Sequence, residues 1–159
     1  APAPTAPAPA PTAPAPVPAA PPEPPKAAPP PPQLDRAQVQ RISAYSSRGQ
    51  PLLASRLEAT RKQLDAAADE RLTLELYYTE NSDAARVERF LMRARDLVPL
   101  DNVYIVPVAG EGGKYRIWAT YGDFPSREEA LQAARALPPK YQREFPLVPR
   151  TYAEVRRVL

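Results

Sequence analysis

The chain has 159 residues, a net charge of +3, 24 prolines, and neither Cys nor His. The missing residue types exclude thiolate nucleophiles, disulfides, Cys/His zinc centres and Ser-His-Asp triads. Basic and acidic groups number six and five over residues 33–70 and fourteen and twelve over 71–159, too even for a nucleic-acid footprint, and no apolar run approaches a membrane span.

Sixteen of the prolines fall within residues 1–32, a stretch of Ala and Pro with one Glu, one Lys and no aromatic residue. It has too little apolar surface to offset its ordering entropy. Alternating Ala-Pro holds the backbone in polyproline II, so residues 1–32 are expected to be a disordered, extended linker without a core. The chain does not begin with Met, and its only Met is Met92. It therefore reads as a processed or excised piece whose membrane anchor or signal would lie upstream.

Residues 33–70 read as a helical preface. Leu34, Ala37, Val39 and Ile42 give a short helical pattern that ends near Ser46, Ser47 and Gly49. Pro51 suits the first turn of a second helix of about 18 residues. Its stripe of Leu53, Leu57, Thr60, Leu64 and Ala67 is narrow. Such a helix is expected to pack on the domain C-terminal to it or on a partner.

Residues 71–159 carry the domain. Leu72, Leu74, Leu76 and Tyr78 alternate with Thr73, Glu75, Tyr77 and Thr79, the period of a half-buried strand. Asn81, Ser82 and Asp83 offer helix caps, and Val87, Phe90, Leu91, Ala94, Leu97 and Val98 come next at helical spacing up to Pro99. The Arg residues at 86, 89, 93 and 95, with Glu88 and Asp96, read as the solvated face of that helix. A second strand spans 103–108, Gly110, Gly112 and Gly113 make a hairpin turn, and a third strand spans 115–121 and ends at Gly122. Ser126 and Glu129 form a capping box before the Ala130, Leu131, Ala134, Leu137 face, which stops at Pro138 and Pro139. Leu147 and Val148, between two prolines, predict a short edge strand. The order β-α-β-β-α-β predicts an α+β domain of the split βαβ (ferredoxin/RNP-like) type, a four-stranded sheet with helices on one face and the other face open.

The stretch 115–130, YRIWATYGDFPSREEA, resembles the SPOR domain, the sporulation-related repeat of bacterial cell-envelope proteins. Gly122, Phe124, Ser126, Arg127, Glu128, Glu129 and Ala130 fit its pattern. LTLELYYTEN is similar to that family's first strand, with Glu75 in the usual Gln place. VPRTYAEVRRVL is similar to the tail of the subgroup found in cell-division and secretion or pilus-assembly proteins. The resemblance spans residues 71–159 and implies a periplasmic protein tethered to the inner membrane. It also implies a non-catalytic module that binds denuded peptidoglycan strands on its open sheet face.

Strand alternation places candidate ligand residues on that face. If the Leu set of the first strand points at the helices, Glu75 and Tyr77 point outward. Arg116, Trp118 and Thr120 share the polar phase of the third strand, and Tyr104 or Ile105 of the second strand joins them, since Pro107 leaves that strand's pleat phase open, with Tyr104 taken as the candidate. An aromatic ring can stack on the C–H face of a sugar, and a guanidinium can pair with a muramic-type carboxylate. Glu75, Tyr77, Tyr104, Arg116, Trp118 and Thr120 are thus the expected glycan site, with Tyr115 and Tyr121 in the core. Neither a cofactor, a metal nor a catalytic residue is indicated.

The alternative is an adapter that binds a protein of a secretion or pilus complex through the preface stripe and the sheet edge, without glycan. A single-stranded nucleic-acid binder of the RNA-recognition type is disfavoured by charge and by the absence of the basic-Gly-aromatic signature on the third strand.

Overall fold

The computed structural model describes residues 3–4, 33–144 and 147–159, so the expectation for the Ala/Pro tract lies outside the described residues. In chain order the elements are α1 (Arg36–Ala44), α2 (Pro51–Ala66), β1 (Leu72–Thr79), α3 (Ala84–Arg95), β2 (Val103–Ala109), β3 (Tyr115–Phe124), α4 (Arg127–Ala136), α5 (Pro139–Glu144), β4 (Pro149–Thr151) and α6 (Tyr152–Arg157). The strands form one antiparallel sheet in the order β2-β3-β1-β4. The domain is α+β and of the split βαβ type, as the element order predicts.

One sheet face carries the expected core. Leu72, Leu74 and Leu76 of β1, Val103 and Ile105 of β2, and Ile117 and Ala119 of β3 meet Val87, Leu91 and Ala94 of α3 and Ala130 and Ala134 of α4. Both helices start at side-chain caps. Asp83 accepts from the Arg86 N–H at 3.2 Å and Ser126 from the Glu129 N–H at 3.2 Å.

The opposite face is not open, and here the structure corrects the sequence. Val106 and Trp118 of the sheet lie under Leu34 and Ile42 at α1, Leu64 and Ala67 at the end of α2, and Tyr152 and Val155 of α6. This is a second hydrophobic cluster. The preface stripe divides between the clusters, with Leu53 and Leu57 at the first and Leu64 and Ala67 at the second, and α6 adds a third cover. The described residues of 33–70 and 71–159 belong to one compact unit.

Helix α2 also closes the free edge at β2. Thr60 Oγ1 accepts from the Ile105 N–H at 2.9 Å, and Arg56 Nη1 donates to the carbonyls of Leu100, Asp101 and Val103. An edge strand is thereby denied to other chains. Gln50 does not cap α2. Both carboxylate oxygens of Glu88 in α3 instead accept from the Leu52 and Leu53 N–H groups, at 3.1 and 2.7 Å. Glu88 is therefore buried and does not belong to the solvated face of α3.

Three local features differ from expectation. Strand β3 runs through Gly122 rather than ending there. Gly122 adopts φ +80° in a bulge opposite 72–74, where a Cβ would lie 2.5 Å from the Phe124 ring. The last strand is Pro149–Thr151 instead of 147–148, paired at the sheet edge with Leu72–Leu74. The Glu75 N–H donates to the Val148 carbonyl at 3.0 Å, which carries the pairing one residue beyond the strand. Helix α4 does stop before Pro138 and Pro139, but Pro139 also opens a further helix, α5, that the spacing did not predict, because Pro is well suited to a first helical turn.

Candidate functional site

The second bulge decides which side chains share a surface. Between Glu75 and Tyr77, β1 advances two residues while β3 advances one, from Thr120 to Ala119. The side-chain phase of β1 flips at that point. Tyr77 turns to the α3 side and stacks on Phe90 with ring centroids 4.9 Å apart. Tyr78 pairs with Trp118 and takes the place on the second face that alternation assigned to Tyr77.

The other predicted residues divide. Glu75 and Arg116 lie on the second face and line a groove there. Tyr104 lies opposite Thr120 on the same face, half-buried, and burial raises its hydroxyl pKa. Thr120 is 1% exposed and presents no free surface, and Trp118 is 9% exposed and presents only the part that lines the groove. Both were expected to meet a glycan on an open sheet; α1, α2 and α6 cover them instead. The indole N–H of Trp118 is buried and meets no acceptor among the described residues. Tyr115 and Tyr121 pack against the first cluster as expected, and Tyr115 donates to the Arg41 carbonyl at 2.7 Å.

What stays accessible on this face is a groove of about 490 Å³ between the strand ends and α6. Its apolar wall is Tyr78, Val108, Val158 and one edge of Trp118. Tyr78 is 39% exposed and Val158 47%. Its charged rim is Glu75 of β1, Arg116 of β3, Arg150 of β4, and Glu154 and Arg157 of α6. Arg150 Nε lies 3.3 Å from Glu75 Oε2, a partly exposed pair that adds little stability. Arg116 and Arg157 have no ion pair among the described residues. Val108 and Arg116 also line a second groove, of about 810 Å³, that runs over the β2-β3 turn past Lys114, Glu111 and Glu80. The two grooves share Val108 and Arg116 and together form an open trough.

Sequence reading missed α6, whose place depends on buried polar contacts. Arg156 is 5% exposed. Its Nη1 donates to the carbonyls of Leu64 and Ala67, at 3.0 and 2.8 Å, and its Nη2 meets Asp69 Oδ1 at 2.5 Å. These carbonyls lie at the C-terminal end of α2, where acceptors are orphaned and a cation is favoured. Asp123 ties the same region together by accepting from Gln63 and Arg71, and its hydrogen bond is the main cause of the raised Arg71 pKa. The Tyr152 hydroxyl donates to the Gly122 carbonyl at 3.0 Å, and burial pushes its pKa up. One signal for α6 stands in the sequence. Thr151 with Glu154 is a cap pattern, and Thr151 Oγ1 does accept from the Glu154 N–H at 3.1 Å.

No protein-family model matches the chain, and no curated protein or solved structure matches it. Among the described residues no group of three or more acidic side chains is placed to hold a metal ion.

Proposed function

We propose that the chain is a non-catalytic peptidoglycan-binding module of the bacterial cell envelope, which takes denuded glycan strands in the trough beside α6. One observation carries the reading. Tyr78 offers an exposed ring in a groove whose rim holds two arginines, Arg116 and Arg157, without ion pairs among the described residues. A ring for the sugar's C–H face and guanidinium groups for its carboxylates are the two elements such a strand calls for. The resemblance of residues 71–159 to SPOR domains supports the same ligand, a periplasmic location and a tether upstream of the chain. The glycan contacts move from Trp118, Thr120, Tyr77 and Tyr104 to Tyr78 and the rim.

The test is cosedimentation of the full chain with purified sacculi, before and after amidase treatment removes stem peptides. The full chain pellets with the treated sacculi and much less with the untreated ones. Failure to pellet with either removes the reading.

A second reading, an adapter for a division, secretion or pilus assembly, is favoured by a different observation. The sheet face that SPOR domains offer to glycan is occupied here by the chain's own helices. A chain that ignores both sacculus preparations but crosslinks to an envelope assembly in cells belongs to this class.

A further inference from the structure

We infer that Arg157 on α6 and Arg116 on β3 together form a two-guanidinium receptor that selects carboxylate-bearing glycan over neutral glycan; this rests on the glycan reading above. Arg156 and Arg157 are neighbours in sequence with opposite surroundings. Successive residues on a helix are turned by about 100°. Arg156 is accordingly buried against the end of α2, while Arg157 is exposed and lines the groove. The buried neighbour anchors the exposed one. Four contacts hold α6 and the chain end in place: the Arg156 clamp on Leu64 and Ala67, its pair with Asp69, the bond from Gln38 Nε2 to the Arg156 carbonyl at 2.8 Å, and the bond from Arg41 Nη2 to the Leu159 carbonyl at 2.9 Å. A guanidinium on a pre-placed helix loses less freedom on binding than one on a loose tail.

The charge balance of the groove points to the ligand. Glu75 is engaged by Arg150. The remaining rim is Arg116, Arg157 and Glu154, a net excess of one positive charge with two forks available to oxygen acceptors. A planar guanidinium matches a carboxylate with two parallel hydrogen bonds, which a neutral amide cannot reproduce. A denuded strand carries a free lactyl carboxylate on every second sugar. It can meet Arg116 and Arg157 while Tyr78 lies against a ring. An intact stem peptide converts that carboxylate to an amide, so the same pair of arginines supplies a chemical reason for selecting denuded strands.

The test titrates the full chain with labelled denuded glycan oligosaccharides and with the same oligosaccharides converted to methyl amides at the lactyl groups. Wild type binds the carboxylate form roughly tenfold more tightly, the scale of one charge-assisted hydrogen-bonded pair. Arg157→Gln loses most of that preference, and Arg116→Gln/Arg157→Gln binds both forms alike with a flattened salt dependence. Both side chains are exposed, so melting temperatures stay near wild type. Arg157→Gln with an unchanged preference overturns the role of α6 and leaves the glycan reading standing. Wild type that binds neither form removes the glycan reading itself. Displacement of the glycan by an oligoglutamate peptide at equal concentration overturns the proposal in favour of an acidic protein segment.

Discussion

Replacing Trp118 by Ala distinguishes a buried ring from an exposed one, and the structure predicts a large loss of stability. The ring is 9% exposed and packs in the cluster of Leu34, Ile42, Leu64, Val106, Tyr152 and Val155. Emptying such a site costs about 3–5 kcal/mol, the transfer of a large aromatic plus the cavity left behind. For a folded unit of this size that corresponds to a fall of roughly 10–20 °C in melting temperature. Trp118→Phe keeps much of the volume and removes an indole N–H that meets no acceptor among the described residues. The removed polar burial offsets part of the lost packing, so this variant falls by about 1–2 kcal/mol. Urea unfolding followed by circular dichroism measures both. Trp118 is the only Trp, so wild-type emission reports the same cluster: it is blue-shifted when folded and moves to the red as α1 and α6 leave the sheet. A Trp118→Ala variant that unfolds within about 1 kcal/mol of wild type would show that the ring is not buried in this cluster.

Arg156→Met keeps the aliphatic stem but leaves the Leu64 and Ala67 carbonyls without their donor. Urea denaturation should show a loss of about 2–4 kcal/mol, because buried acceptors are orphaned; Asp69, which is mostly exposed, contributes little of it. Alkaline pH weakens the fold through its buried phenols. Burial, reinforced by Asp83, pushes the Tyr45 hydroxyl up to about 12 from 10.0. The folded state then holds a proton that the unfolded state has released. The stability tied to that proton is complete below pH 10 and is lost as pH rises through about 12. Tyr45→Phe should therefore lose stability less steeply than wild type across that window in urea midpoints, and an equal slope would contradict the assignment.

Much of the sheet was legible because its periodicities are local. The alternation in 72–76, the helical spacing from Val87 to Val98, the Gly-rich turn and the Ser126 cap each depend on residues a few positions apart. The strand order is set by the βαββαβ sequence of elements. What was not legible depends on distant contacts. The bulge that swaps Tyr77 for Tyr78 arises from pairing with β3, and alternation within β1 carries no sign of it. Trp118 stood in a polar phase with Arg116 and Thr120, which reads as a solvated face until α1, α2 and α6 are laid over it. Two clues pointed that way. Val106 and Val108 make the second face of β2 apolar as well as the Val103 and Ile105 face, and Tyr152 with Val155 forms a small apolar pair directly after the Thr151 cap. Arg156 gave no warning, since an arginine near a chain end reads as solvated and its carbonyl partners lie 89 and 92 residues away.

The central claim is that glycan occupies the trough between β1, β3 and α6, and amide-resolved NMR of the full chain during titration with denuded glycan oligosaccharides tests it directly. Binding there shifts amides that cluster at Tyr78, Val108, Arg116, Arg157 and Val158 and leaves those of α3 and α4 unmoved. Saturable shifts centred on α3 and α4, or no shifts at any glycan concentration, would contradict it.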